Sequence, residues 1–168
     1  SITRIVPPGE FRMYSISSVM ESKQINGASE LHLTIGRMIY ETKETDISKN
    51  AKRLGTASNF LGDTEAMPIE SMGRVSIKTV QPPRFNLPSD EKTPIVMIAG
   101  GTGLSPFRSF IHSRGQNKNA GDSWLFFGTR AREDFYYQKE MEKFSADGRL
   151  QVRVAFSRDA VYPRFVPS

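Results

Sequence analysis

The sequence predicts two structural units in a chain of 168 residues, a β-rich first half and an α/β second half built on a parallel sheet. In the second half, apolar runs alternate with amphipathic segments in the order strand, helix, strand, helix, strand, which is typical of a parallel sheet. A cluster of prolines separates the halves, because proline interrupts both helices and strands. These prolines are Pro82, Pro83, Pro88 and Pro94.

The strands of the second half are predicted from their apolar residues. Residues 95–99 form a continuous apolar run bounded by turn residues, which indicates a strand buried on both faces. Residues 124–127 indicate a second strand, and the alternation over residues 150–156 indicates a third. Amphipathic segments predict helices over residues 107–112 and 134–144.

The first half is predicted to hold short strands and one short helix. Strand patterns occur over residues 11–17, 31–40 and 74–80, and the polar stretch over residues 41–53 indicates an exposed loop. A helix is expected over residues 56–61, with Thr56 or Ser58 as its cap.

Composition excludes several classes of function. The chain has no cysteine, which excludes disulfides and thiolate chemistry, and its two histidines are too few and isolated for a metal cluster. The net charge is +5, but the basic residues are scattered, so we expect no nucleic-acid partner. No apolar run has the length of a membrane span, so none is expected in this segment.

A glycine-rich turn joins the first strand and the first helix of the second half. Gly100, Gly101 and Gly103 directly follow the strand, and Pro106 fits the first turn of the helix, where its missing N–H costs nothing. Such a turn presents free N–H groups and the positive end of a helix to an anion. On these residues alone, a phosphate site and an ordinary strand–helix connection both stay open.

Five motifs follow one another along nearly the whole chain. They are RMYSISS (12–18), GTASNFL (55–61), IVMIAGGTGLSPFRSFI (95–111), LFFGTR (125–130) and VAFSRD (154–159). Together they resemble the ferredoxin–NADP reductase superfamily, above all its diflavin branch of NADPH–cytochrome reductases, sulfite reductase flavoproteins and nitric oxide synthase reductase domains. The resemblance implies part of an antiparallel β-barrel that binds FAD over residues 1–92, and part of an α/β domain that binds NADP over residues 93–168.

In the first unit the resemblance implies a flavin site. Arg12 would pair with the FAD pyrophosphate, for which a guanidinium offers a bidentate fork. Tyr14 would stack on the isoalloxazine, and Ser15 would place a hydroxyl near N5, the atom that accepts hydride; both are candidate catalytic residues. Tyr40 matches an aromatic residue that lies near the FAD. The remaining candidates, which would bind the same pyrophosphate, are Gly55, Thr56, Ala57 and Ser58.

In the second unit the resemblance implies an NADP site. Arg130 would contact the nucleotide phosphates, and Ser157 with Arg158 matches the pair that binds the 2′-phosphate, which favours NADP over NAD. These residues follow predicted strands, where such sheets bind ligands, which argues against ordinary surface charges. The residues that would face the pyrophosphate and nicotinamide are Gly101, Thr102 and Gly103.

The resemblance implies a module that passes hydride from NADPH to FAD and electrons on to FMN, haem or iron–sulfur acceptors. Its partner would be an electron-acceptor protein or a fused FMN domain. We expect it in the cytoplasm, or at the cytosolic face of a membrane if the full protein is anchored. Two alternatives stay open: a truncated, non-catalytic flavin- and nucleotide-binding module, and a single-flavin reductase component of an oxygenase.

The sequence departs from the family pattern near both ends. Only eleven residues precede Arg12, where the family has further barrel strands, and few follow Arg158, where the family has further strands and helices. In diflavin relatives that later part supplies a cysteine and an acidic residue near the nicotinamide, and an aromatic residue that shields the flavin. We therefore expect the chain to be incomplete at both ends and not to complete the reaction alone.

Overall fold

A computed structural model describes residues 11–19, 24–25, 28–41, 52–63, 76–158 and 166–167. The chain divides into two compact units, each formed by two stretches of sequence. The first unit takes Ser1–Tyr14 and Ile35–Arg74, and the second takes Ser15–Thr34 and Val75–Ser168. The domain boundary at residue 92 stays a prediction.

Two short antiparallel pairs and one helix lie early in the chain. In the second unit, strand β1 (Gln24–Ile25) pairs with β2 (Ala28–Ser29). In the first unit, β3 (Ile39–Glu41) pairs with β4 (Lys52–Leu54), and helix α1 (Thr56–Asp63) follows. The described residues thus contain two antiparallel strand pairs, and the barrel that the resemblance implies stays a prediction.

Three expectations for this part of the sequence need correction. Residues 11–17 and 31–35 form no strands of their own and meet only in an isolated antiparallel bridge between Ile16 and Leu33. The predicted loop over residues 41–53 ends inside β4, because Lys52 and Arg53 pair with β3, while residues 42–51 lie outside the described part. Residues 76–80 are exposed and form no strand, and residues 74–75 also lie outside the described part.

A parallel sheet forms the centre of the second unit, as the sequence predicts. Strands β5 (Ile95–Gly100), β6 (Ser123–Thr129) and β7 (Gln151–Phe156) lie side by side in parallel. A short strand, β8 (Val166–Pro167), pairs antiparallel with β7. Helix α2 (Ser105–Gly115) connects β5 to β6, and helix α3 (Gln138–Ala146) connects β6 to β7. The predicted order of strands and helices is confirmed.

Only one face of β5 is buried, so the expectation of a strand buried on both faces is wrong. Met97 is 2% exposed, whereas its neighbours Val96 and Ile98 are 64% and 76% exposed. Successive side chains of a strand point to opposite faces, and α2 and α3 contribute to the core on the Met97 face. That core consists of Met97, Ala99, Leu104, Ile111, Leu125, Phe127, Met141, Leu150, Val152, Val154 and Phe156.

Helix α3 begins four residues later than the sequence predicts. Residues Arg132–Asp134 form a 3₁₀ turn, and Tyr137 adopts a left-handed conformation with φ 59°. A residue in that conformation does not continue a right-handed helix, so α3 begins at Gln138. The Tyr137 hydroxyl lies 2.7 Å from the Thr34 hydroxyl, which holds the ring in place.

Candidate nucleotide site

A cleft of about 600 Å³ lies at the carboxyl ends of the parallel strands. Three segments line it: the turn after β5, the end of β6 with the residues that follow, and the end of β7. Open α/β sheets bind ligands at this edge, because the turns that leave adjacent strands meet there. The lining residues are Gly101, Thr102, Gly128, Thr129, Arg130, Asp134, Tyr136, Ala155, Phe156 and Ser157.

The glycine turn forms one wall of the cleft. Its residues, Gly101–Leu104, make a 3₁₀ turn that leads directly into α2, and Pro106 lies in the first turn of that helix as predicted. Gly101 has φ 51°, in the region that favours glycine. A Cβ added at Gly101 or at Gly103 would meet no atom within 4 Å, so the backbone of the turn is open to a ligand.

The turns after β6 and β7 form the opposite wall and are tied to each other. The Ser157 N–H donates to the carbonyl of Thr129 at 2.9 Å, and the Arg158 N–H donates to the carbonyl of Arg130 at 2.9 Å. Both arginines are exposed. Exposed guanidinium groups beside open backbone N–H groups form a donor set suited to phosphate, so these residues fit an anionic nucleotide.

The structure brings together four of the six residues predicted for the nucleotide, namely Gly101, Thr102, Arg130 and Ser157. Gly103 and Arg158 adjoin the cleft without lining it.

Other lining residues were not predicted from the sequence. The Tyr136 side chain is 37% exposed, and the carbonyl of Asp134 accepts a hydrogen bond from the Thr129 hydroxyl at 3.2 Å. Arg132 does not line the cleft, but its guanidinium lies 5.6 Å from the centre of the ring of Phe156, which does. Four further lining residues lie at the ends of two predicted strands, which was the available signal: Gly128, Thr129, Ala155 and Phe156. Asp134 and Tyr136 lie inside the predicted helix over residues 134–144, so the sequence carried no signal for them.

The candidate flavin residues lie in both units. Arg12, Tyr14 and Tyr40 belong to the first unit, whereas Ser15 belongs to the second. Arg12 and Ser15 are exposed, Tyr14 is half-buried, and Tyr40 is 48% exposed. The first unit thus contains an exposed arginine, Arg12, and two partly exposed tyrosines, Tyr14 and Tyr40. A cation suits a pyrophosphate and an aromatic face suits a flat ring, so these residue types fit FAD.

The turn before α1 is fixed by its own hydrogen bonds. The Gly55 N–H donates to the carbonyl of Met38 at 2.8 Å, and the Ser58 hydroxyl accepts from the N–H of Met38 at 3.1 Å. A Cβ at Gly55 would lie 2.8 Å from the Cβ of Met38, so glycine is needed for this close approach. With the Gly55 N–H already bonded to Met38, the backbone N–H groups that the first turn of α1 offers to an anion are those of Thr56, Ala57 and Ser58.

Asn59 stabilises this turn and was not predicted. It is 4% exposed, and its side-chain amide donates to the carbonyls of Met38 at 2.8 Å and Gly55 at 2.9 Å. Its own oxygen accepts from Nε of Arg37 at 3.3 Å. In the sequence, the available signal was an asparagine directly after the GTAS residues, near the start of the predicted helix.

No group of three His, Cys, Asp or Glu in the described ranges could hold a metal ion. Within the part of the chain that the structure describes, no helix is long and apolar enough to cross a membrane.

The second half of the chain matches a known protein family. Residues 97–161 match the oxidoreductase NAD-binding domain family. This match includes the glycine turn and the ends of β6 and β7, the three segments that line the cleft.

Curated relatives match nearly the whole chain. It is 41% identical over 157 residues to the sulfite reductase (NADPH) flavoprotein alpha-component of Vibrio parahaemolyticus, a match that covers 92% of this chain and 23% of the relative. It is 35% identical over 161 residues to the corresponding component of Escherichia coli, covering 95% of this chain and 24% of the relative. The chain therefore spans about a quarter of the length of these relatives.

A solved structure shares the fold. The ferredoxin–NADP⁺ reductase of Plasmodium falciparum superposes with a TM-score of 0.60 at 24% identity, over 89% of this chain and 51% of that protein.

Proposed function

Because this chain belongs to the ferredoxin–NADP reductase superfamily, we propose that it forms the flavin-reducing part of an NADPH-dependent flavoprotein reductase of the sulfite reductase type. The observation that carries the proposal is the cleft at the carboxyl ends of β5, β6 and β7, in which the glycine turn, Arg130 and Ser157 meet. This arrangement occurs in a chain 41% identical to an NADPH flavoprotein component.

In this proposal the cleft binds NADPH. The glycine turn and the start of α2 would bind the pyrophosphate through backbone N–H groups. Arg130 would neutralise phosphate charge, and Ser157 with Arg158 would bind the 2′-phosphate. A guanidinium at the 2′ position favours NADPH over NADH, because NADH has an uncharged hydroxyl there instead of a phosphate.

The flavin is proposed to bind through Arg12, Tyr14, Ser15, Tyr40 and the first turn of α1. A bound flavin supplies the hydride acceptor and a carrier for single electrons. The side chains would hold and orient it: Arg12 at the pyrophosphate, Tyr14 against the ring, and the Ser15 hydroxyl near the accepting atom. Electrons would then pass to an acceptor protein or a fused FMN domain. The cytoplasmic location and the absence of a nucleic-acid partner stay predictions.

Calorimetric titration with NADPH and with NADH tests the nucleotide site. We expect Arg158→Ala to weaken NADPH binding by about tenfold or more, because a charge-assisted hydrogen bond contributes about 1.5–3 kcal/mol, and to leave NADH binding nearly unchanged. Lys118→Ala is the matched control, since Lys118 is exposed and precedes β6, at the amino ends of the strands. Equal losses for NADPH and NADH, or the same loss in the control, would contradict the assignment.

A second measurement separates the proposal from its alternatives. In the longer protein that we expect to contain this chain, NADPH should bleach the absorbance of bound FAD in a single turnover, whereas this chain alone is expected not to complete the reaction. Binding of both FAD and NADPH with no bleaching would favour the non-catalytic module instead. Electron transfer to a small iron–sulfur protein but not to an FMN domain would favour the single-flavin reductase.

A further inference from the structure

Two buried side chains of α2 bind the backbone that carries the candidate catalytic Ser15. The Ser105 hydroxyl donates to the carbonyl of Ser15 at 2.7 Å, and Nη1 of Arg108 donates to the carbonyl of Ser17 at 3.0 Å. Ser17, Ser105 and Arg108 are 0%, 2% and 9% exposed. All four residues belong to the second unit, so these bonds lie within one compact body.

The Arg108 guanidinium is held by further partners. Its Nε and Nη2 donate to the two carboxylate oxygens of Glu140 on α3, at 2.8 and 2.7 Å. It also lies 4.5 Å from the centre of the Tyr137 ring. An arginine guanidinium is charged throughout the physiological pH range, and the hydrogen bond to Glu140 raises the pKa of Arg108 further. Because the other two nitrogens are bonded to Glu140, the direction of Nη1 is fixed: it donates to the carbonyl of Ser17 and lies 3.4 Å from Nδ1 of His32.

The segment that receives these bonds has its own support. The Ser17 N–H donates to the carbonyl of His32 at 2.8 Å, and the His32 N–H donates to the Ser18 hydroxyl at 3.1 Å. Residues 15–18 and 32–34 therefore form one pair of segments. Ser105, Arg108 and Tyr137 attach this pair to α2 and the start of α3.

Ser105 is also the first residue after the glycine turn, because Gly101–Leu104 ends where α2 begins. One hydrogen bond thus joins Ser15, the residue proposed to lie near the flavin, to α2, the helix that follows the glycine turn. We propose that Ser105 and Arg108 are positioning residues that fix Ser15 relative to the glycine turn and so set the geometry of flavin reduction. This inference rests on the proposed function.

Amide hydrogen exchange tests the positioning without any bound flavin. Ser105→Ala removes one bond to the segment and Arg108→Met removes the other. We expect either change to speed exchange over residues 16–18 by about tenfold, as for the loss of one net hydrogen bond, while exchange in β6 is unchanged. Ser109→Ala is the matched control, because Ser109 lies on the same helix and its hydroxyl takes no part in this network. Unchanged exchange over residues 16–18 in Ser105→Ala would overturn the inference, even if Arg108→Met fails to fold.

Stopped-flow reduction of bound FAD by NADPH, in the longer protein that we expect to contain this chain, tests the functional consequence. We expect Ser105→Ala to slow the reduction step by about tenfold with the Kd for NADPH changed less than about twofold, because displacement of reacting groups affects the rate more than binding. An equal effect in Ser109→Ala, or no effect in Ser105→Ala, would overturn the positioning role alone. If the longer wild-type protein binds FAD and NADPH but shows no reduction, the proposed function is contradicted, and the positioning role with it.

Discussion

At the scale of single residues, Gly101 and Gly103 form a matched pair. Both lie in the 3₁₀ turn and both have open space where a Cβ would be, but only Gly101 has a positive φ, at 51°. We expect Gly101→Ala to lower the free energy of unfolding by about 1 kcal/mol, because a left-handed conformation is strained for residues with a Cβ. Gly103→Ala should change it by less than about 0.5 kcal/mol. Urea denaturation measures both, and equal losses would show that the backbone conformation is not the cause.

The sequence predicted those site residues whose motifs are local. Gly101, Thr102, Arg130 and Ser157 each lie in a contiguous motif at a strand end, and the structure brings them into one cleft. Arg108 lies within one of the five motifs, but the sequence alone assigns it no role. Its partners Ser17 and Glu140 lie 91 and 32 residues away along the chain, and a single sequence without a fold does not reveal such pairs.

At the scale of elements, the two faces of β5 contribute differently to the free energy of unfolding. We expect Met97→Thr to cost about 3 kcal/mol in the free energy of unfolding, because it leaves a cavity and a hydroxyl in the core. Ile98→Thr should cost less than about 0.5 kcal/mol, because the Ile98 side chain is 76% exposed whereas Met97 is 2% exposed. Thermal denaturation of the two variants measures the difference. Similar costs would mean that something covers the Ile98 face in solution.

The contact between α2 and α3 makes stability depend on pH. The hydrogen bond from Arg108, with further help from His112, holds the pKa of Glu140 below its ordinary value of 4.5. A lowered carboxylate pKa stabilises the folded state at pH above that ordinary value, and the contribution is lost as pH falls through the lower folded pKa. We expect the stability difference between wild type and Glu140→Gln to be largest near neutral pH and to shrink below about pH 4.5.

Chemical denaturation at a series of pH values tests this prediction. The Glu142→Gln variant is the control, because Glu142 is exposed on the same helix and its contact is with Gln138. A constant difference between wild type and Glu140→Gln from pH 7 to pH 3 would contradict the prediction.

Elements were predicted best where the apolar pattern matched one buried face. β6 and β7 alternate between buried and partly exposed residues, and the sequence found both. Residues 76–80 have the same kind of alternation, yet Ile77 and Val80 are 70% and 60% exposed. Alternation indicates a strand only where a neighbouring strand and a core are present, and neither is visible in a local pattern.

At the scale of the whole molecule, nucleotide binding should stabilise the second unit. All residues that line the cleft belong to that unit, so a ligand bound there stabilises its folded state by mass action. At a free concentration 100 times the Kd, NADP⁺ should add about 2.7 kcal/mol. Unfolding followed by the fluorescence of Trp124, which lies on β6 in this unit, measures the effect. A similar concentration of NAD⁺ should add less, and equal stabilisation would contradict the preference for the 2′-phosphate.

The left-handed Tyr137 has a consequence for the order of folding. This conformation costs about 1–2 kcal/mol, and contacts with Thr34 and Arg108 offset it, although Thr34 lies 103 residues away along the chain. Because this support comes from remote segments, we expect the first turn of α3 to form late in folding. We expect Tyr137→Phe, which removes the bond to Thr34, to accelerate unfolding and to leave the refolding rate nearly unchanged in stopped-flow chevron measurements.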